Sequence, residues 1–475
     1  MGLMPRTTFE LDLLVRFDGN LSLPLHRQLE RQLRDAILTG ALQSDTPLPS
    51  TRALAAELGV SRGVVVEAYG QLTAEGYLIA ERGSRTRVST LPIDQVPSQR
   101  RTTEPPARFD FRTGTPDLSL FPRAAWLAGM RRALNTAPDD RLGYGDGRGA
   151  PELREALASY LGRVRGARVE PDRTIITTGL VQALALTGRS LRARGVRRLA
   201  VEDPGSADAW LPFTAAGLEL IPVEVDDRGL RVDRLQMTNA DAVFVTPAHQ
   251  FPTGVVLAPE RRSELISWAV SRGAFVIEDD YDSEYRYDRP PVGVLQGLSP
   301  ERVIYGGSTS KTLAPALRLG WIVAPADIAD HIASEKKQDD HGGPALEQLA
   351  LAELITSGEL DRHVRRTRPI YRHRRDALVS AISRHFPIAA VGGIAAGLHL
   401  TAHLPPDMSD VVLAERAAHR GILVTPAAAH RLRPGNPGLL LAYSRMHEKA
   451  LERGIIELAD IAAQGRRSSS RRRRP

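Results

Sequence analysis

The chain has 475 residues, 42% of them hydrophobic and 25% charged, which is the make-up of a soluble globular protein long enough for more than one domain. It has no cysteine, which excludes disulfides, thiolate metal sites and a thiol nucleophile. The formal charge is +7, and six of those charges come from Arg466, Arg467 and Arg471 to Arg474, so the rest of the chain is close to neutral.

Glu10 and Asp12 interrupt the apolar start, which argues against a signal peptide, and no apolar run approaches the ~20 residues that a membrane-spanning helix needs. The cytoplasm is the expected location and no membrane partner is expected. The histidines show no metal-ligand spacing, so no metal site is expected, and His363, His373 and His385 read as helix-surface residues.

Residues 21–90 form the first domain. Leu25, Leu29, Leu33 and Ile37 recur every four residues and give one apolar helix face, ended by Gly40. Pro47-Leu48-Pro49-Ser50 is an extended entry, with Ser50 or Thr51 as the cap of a short helix over Arg52 to Leu58. Gly59-Val60 turns the chain, Ser61 caps again, and Arg62 to Glu75 form the next helix, with Val65, Tyr69 and Leu72 inward. Two short helices joined by a Gly-containing turn read as helix-turn-helix, although generic helical hairpins share the pattern. Tyr77 to Ala80 and Arg85 to Ser89 read as a β-hairpin wing. The domain holds eight Arg against seven Asp or Glu, so placement carries more than net charge. Arg62 starts the second helix, where base edges are met, and Arg82, Arg85 and Arg87 cluster on the wing, where phosphates are met. The run from Leu48 to Arg62 resembles the GntR-type winged helix, an α+β fold. That resemblance implies that Arg52, Ser61, Arg62, Gly63 and Gly83 contact a double-stranded DNA operator, and its place on the wing adds Arg82 to them. Val64-Val65-Val66 is more apolar than the threonine-rich start common among its relatives.

Residues 91–108, with Pro92, Pro97, Pro105 and Pro106, read as a linker of limited flexibility. Residues 109–465 form the second domain, and the serine- and arginine-rich tail 466–475 reads as disordered. In the second domain, strand Thr174 to Thr178 runs into Gly179-Leu180-Val181-Gln182 and an apolar helical run. Free N–H groups at that helix start suit a phosphate, although a Gly at such a junction is often only a turn. Strand Ala274 to Ile277 ends in Glu278-Asp279-Asp280-Tyr281, where a carboxylate could hold a pyridine nitrogen protonated or merely cap a turn.

The next signal is Lys311, in Ser308-Thr309-Ser310-Lys311, seven residues before Arg318. The chain has four lysines against fifty-nine arginines, and Lys336, Lys337 and Lys449 lie in charged stretches typical of surface helices. Lysine can condense with an aldehyde once burial lowers its pKa, whereas arginine keeps its proton. Two hydroxyls and a forked cation suit a phosphate. A serine-flanked lysine alone could be a solvated loop residue; the acidic strand end and the Gly179 junction make the case together.

These residues, with Gly143 to Gly149 and Pro252-Thr253-Gly254, resemble the fold-type I aminotransferases. The resemblance implies an α/β domain with a mostly parallel seven-stranded sheet, a small C-terminal domain, and a homodimer that binds pyridoxal 5'-phosphate (PLP). It makes Lys311 the catalytic and cofactor-bonded lysine, Asp279 the partner of the pyridine nitrogen and Tyr281 that of the phenolic oxygen. Ser308, Ser310, Arg318 and the amides of Gly179, Leu180 and Val181 become the phosphate cup, and Tyr144 reaches the neighbouring subunit's phosphate. Phe251 stands where Asn usually precedes Pro-Thr-Gly, Ser206 where an aromatic often stacks, and the step from Lys311 to Arg318 is short. Leu440 stands where an arginine usually pairs with a substrate carboxylate, with Arg431, Arg433 and Arg445 nearby in sequence. Phe251, the short step and Asp279 to Tyr287 look like the MocR subfamily of GntR-type regulators. The combined expectation is a transcription regulator whose aminotransferase-like domain dimerises and senses an effector, either PLP itself or an amino acid, without physiological catalysis. The alternative is a working aminotransferase with an appended DNA-binding domain.

Overall fold

The computed structural model describes residues 15–18, 23–80, 85–90, 107–288 and 292–472, with side chains up to 465. Two compact units emerge, Met1–Glu104 and Pro105–Pro475.

The first unit packs helices Leu25–Leu38, Thr51–Glu57 and Arg62–Ala74 beside the antiparallel strands Leu78–Ile79 and Arg87–Val88. Leu29, Leu33 and Ile37 are buried with Leu54, Val65, Tyr69, Leu72 and Val88, so the four-residue repeat builds the core. Leu25, the first member of that repeat, is 42% exposed because it opens the helix ahead of the packed turns. Ser50 caps the second helix by accepting from Ala53 N at 3.2 Å. Ser61 makes no side-chain cap, contrary to expectation; its carbonyl takes Val64 N at 3.1 Å instead. The hairpin turn 81–84 lies outside the described residues.

The second unit is built on a sheet with strand order Thr174–Thr177, Gly320–Val323, Val303–Ser308, Phe275–Asp279, Ala242–Val245, Arg198–Asp203, Glu219–Asp226 and Gly229–Leu230. Seven strands match the expectation. The eighth is a two-residue strand that folds back antiparallel on Glu219–Asp226, through a turn at which Gly229 takes φ +91°. Five neighbouring strands, from Val303–Ser308 to Glu219–Asp226, are mutually parallel, whereas Gly320–Val323 is antiparallel to both its neighbours. Helices cover both faces, which is why these strands read as unbroken apolar runs. Ile277 and Phe244 pack toward Leu184 and Leu191, and Val276 and Val243 toward Leu265 and Trp268.

A second, antiparallel sheet joins Ala390–Gly392, His399–His403, Gly438–Ala442 and Thr425–Pro426. The long helices Glu359–His385 and Glu448–Arg472 pack beside it over Phe109, Phe111, Tyr371, Leu439 and Leu441. Arg108, expected at the end of a linker, is held by its amide on Gly421 O at 2.9 Å and by its guanidinium on Glu457. The backbone from 466 to 472 continues the last helix, where composition alone suggests disorder; once a helix is nucleated, each further residue adds a bond at little cost. Among the described residues no helix is long and apolar enough to cross a membrane.

Candidate functional site

The strand ends decide the site. Phe275–Asp279 and Val303–Ser308 run parallel, with Gly306 opposite Asp279, so Asp279 and Ser308 finish at one edge of the sheet. The reversed strand Gly320–Val323 begins at that edge, because Gly320 lies opposite both Ser308 and Thr177. Arg318, Ser308 and the Thr178–Gly179 junction, distant in sequence, are thereby brought together. In open α/β sheets this carboxyl edge is where ligands bind.

Lys311 lies three residues beyond the Val303–Ser308 strand, in a turn closed by Leu313 N on Thr309 O at 2.8 Å. Its Nζ donates to Gly114 O at 2.6 Å, a partner that sequence reasoning missed. Burial lowers the pKa of this amine, with Asp282, Asp279 and Asp208 pulling the other way. Asp279 is 6% exposed and its Oδ1 has no hydrogen-bond partner among the described residues. Burial, then the neighbouring Asp280, pushes its carboxyl well above the usual range. A buried carboxyl without a partner is costly, and a ring N–H would satisfy it.

Tyr281 OH lies 3.0 Å from His249 Nδ1, and that same nitrogen lies 3.0 and 3.1 Å from the two oxygens of Asp282. The tautomer that satisfies Asp282 carries its proton on Nδ1. The Tyr281 oxygen then faces a donor, and its own proton is free for an oxygen on the ligand side. Burial raises the Tyr281 pKa well above its ordinary value, so it stays a donor. His249 and Asp282 have no counterpart among the expected site residues; only their presence in the motifs around Phe251 and Asp279 could have drawn attention to them.

The residues expected to form a phosphate cup lie near one another. Gly179, at φ +94°, precedes helix Leu180–Ala193, whose first turn offers the Leu180 and Val181 amides. A Cβ on Gly179 would stand 2.9 Å from Arg318 Nη2, so the close approach of Arg318 needs the glycine. Arg318 donates to Thr178 O, and Ser310 N lies 3.4 Å from Ser308 Oγ. An aldehyde-reactive amine, a buried acid for a ring nitrogen, a phenol donor and an anion cup at one edge fit PLP.

In the first unit, Arg52, Ser61, Arg62 and Gly63 are all exposed, and Arg62 Nε lies 3.4 Å from Thr51 Oγ1. Arg82 and Gly83 fall outside the described residues.

Residues 25–88 match the family of bacterial regulatory proteins named gntR, and residues 110–453 match aminotransferase class I and II. The probable rhizopine catabolism regulatory protein MocR of Rhizobium meliloti is 34% identical over 465 residues, spanning 93% of this chain and 94% of its own length. The pyridoxine biosynthesis transcriptional regulator PdxR of Corynebacterium glutamicum is 34% identical over 446 residues, spanning 92% and 96%. The chain belongs to the MocR group of GntR-type transcriptional regulators. Its second unit also superposes on an archaeal alanine:glyoxylate aminotransferase with TM-score 0.70 and 28% identity, covering 75% of this chain and 91% of that one.

In this MocR-type regulator an apolar side chain stands at position 440. Leu440 is fully buried in strand Gly438–Ala442, opposite Thr401 and Thr425. Of the nearby arginines, Arg445 pairs with Asp110 at 2.9 Å and Arg431 donates to Asn436 O at 2.8 Å. Phe251 packs among histidines, with His430 edge-on at 4.9 Å and His399 at 5.2 Å. Burial lowers both histidine pKa values. Tyr144 is 92% exposed, touching only the His341 ring at 5.6 Å among ring contacts.

Two expectations need correction. His363 is no surface residue: it is 4% exposed and its Nε2 donates to Thr312 O at 2.8 Å, bracing the turn that carries Lys311. Lys336 is no surface lysine either: it is 1% exposed and ion-paired with Asp340 at 2.8 Å. An apolar environment accepts a charge only when it is paired.

Proposed function

We propose that this regulator holds PLP at Lys311 and that cofactor occupancy, read through the second unit, sets operator binding by the winged helix. The observation that carries the reading is the pairing of a buried, unpartnered Asp279 with the Lys311 amine and the Gly179–Arg318 cup at one sheet edge. When bound, PLP supplies an aldehyde and an electron-withdrawing ring. The chain's residues position it: Asp279 holds the ring nitrogen, Tyr281 donates to the phenolic oxygen, and Ser308, Ser310, Arg318 and the Gly179, Leu180 and Val181 amides hold the phosphate. Tyr144, open to the outside, serves the neighbouring subunit's cup in a homodimer. Turnover of amino acids is not the function, because Leu440 leaves a substrate carboxylate without a cation, and a buried carboxylate without a partner is costly.

A ligand shifts a two-state equilibrium only by its differential affinity for the two states. The test is to titrate PLP, and separately amino acids at saturating PLP, while following binding to DNA selected by the full chain from a random pool. PLP alone is expected to shift the affinity. A large shift caused only by one amino acid, or sustained conversion of amino acid to keto acid, would overturn the reading in favour of an amino-acid sensor or an enzyme.

Two further outcomes are expected of the DNA interface. Arg62→Ala should lose about 1–3 kcal/mol of discrimination at one base pair, whereas removing the tail arginines should weaken all DNA alike and flatten the salt dependence. Binding of the selected site by Arg62→Ala at wild-type affinity would refute the docking. The selected DNA should hold paired elements spaced by helical turns.

A further inference from the structure

The buried Lys336 belongs to a chain of contacts that ends at the cup. Lys336 Nζ donates to both oxygens of Asp340, at 2.8 and 2.9 Å. Asp340 also accepts from Gly342 N at 2.9 Å and from Gln182 Nε2 at 3.0 Å. Gln182 sits in the first turn of helix Leu180–Ala193, and its Oε1 accepts from Thr178 N at 2.8 Å. The Thr178 carbonyl in turn takes Arg318. The peptide units around Thr178, at the floor of the cup, are therefore held on the N–H side by Gln182 and on the C=O side by Arg318.

The direction of the Gln182 amide is the decisive point. A glutamine can present either its oxygen or its nitrogen, and Thr178 N–H needs the oxygen. Asp340, ion-paired to Lys336, can only accept, so it takes the Gln182 NH2 and leaves Oε1 toward Thr178. Burial pushes the Asp340 carboxyl up, but bonds from Lys336, Gln182 and Gly342 hold it below the usual range. With Asp340 neutral, the amide loses its reason to face this way, and the turned amide would set two donors against each other.

We propose that Gln182, Asp340 and Lys336 are positioning residues for the phosphate cup, fixing the Thr178 peptide so that Arg318 and the helix amides face the anion. The inference rests on reading the cup as the phosphate site of PLP, and its test uses two aldehydes. PLP and pyridoxal share a ring and an aldehyde, but only PLP has a phosphate. Their affinities for the full chain would be measured by absorbance titration in wild type, Gln182→Leu, Asp340→Asn, Lys336→Gln and the Gln182→Leu/Asp340→Asn double variant.

Gln182→Leu and Asp340→Asn are each expected to weaken PLP by about tenfold and to leave pyridoxal within about twofold of wild type. Lys336→Gln, which keeps one donor toward Asp340, should fall between wild type and Asp340→Asn. The double variant should lose no more than the worse single one, because both act along one path. Equal losses for both aldehydes would mean a general loss of structure and would overturn the inference, as would unchanged PLP affinity or fully additive losses. Wild type taking up neither aldehyde would instead sink the cofactor reading, and this inference with it.

Discussion

Lys311→Ala is expected to abolish the covalent adduct that borohydride fixes between this protein and PLP. Wild type should absorb near the visible edge with PLP bound, and peptide mapping after reduction should place the adduct on Lys311. Two physical features single out this amine. Burial lowers its pKa, which raises the fraction free of its proton. It also stands at the sheet edge that carries Asp279, Ser308 and Arg318, so an aldehyde held by its phosphate and ring nitrogen is delivered to it. The substitution removes one hydrogen bond, to Gly114 O, and should change stability by no more than about 1 kcal/mol. An adduct found on Lys336, or no adduct after PLP is added to wild type, would refute the assignment.

The largest loss of stability is expected at Arg165. Its Nε and Nη2 each donate to an oxygen of Asp280 at 2.7 Å, and Tyr305 OH adds a bond to Asp280 at 2.9 Å. The side chains of the pair are 2% and 3% exposed. Burial alone would lower the Arg165 pKa; Asp280 more than offsets this. Arg165→Leu leaves the Asp280 charge buried without its partner, which should cost about 3–5 kcal/mol. Asp280 also neighbours Asp279, so the loss should reach the cofactor site. The four tryptophans, Trp126, Trp210, Trp268 and Trp321, all lie in the second unit, so their fluorescence during urea unfolding reports that unit alone. A midpoint equal to wild type would show that water or another donor satisfies Asp280. In Arg165→Leu/Asp280→Leu, which removes both charges, much of the stability should return.

The sequence made the winged helix readable because its signals are local. A four-residue apolar repeat, a serine before a helix and a glycine in a turn act within one or two turns of chain. Lys311, Asp279, Tyr281 and Arg318 could be picked out for another reason: each lies at, or within three residues of, the end or start of a strand, where the apolar run stops and the exception stands out. His249, Asp282 and Gly114 were not, because their meaning lies in contacts across separations of 32 to 197 residues. Lys336 was misread because Glu335-Lys336-Lys337 has the pattern of a solvated helix face, and only its burial and its ion pair with Asp340 show that the middle member points inward. At the end of the chain composition describes a free tail, and the backbone of the helix anchored by Leu451, Ile455 and Leu458 runs on to residue 472.

The scarcity of lysine has a chemical consequence once its four positions are known. Lys336 is locked in its ion pair, and Lys337 and Lys449 are the two on open surface. The fifty-nine arginines keep their protons at neutral pH and do not condense with simple aldehydes. Toward simple aldehydes, most of the cationic surface is therefore inert. A carbonyl that meets this protein has few amines to choose from, and the half-buried one at the sheet edge also offers a cradle for an anion. Selectivity for a phosphorylated aldehyde then comes as much from the silence of the remaining surface as from the strength of the site.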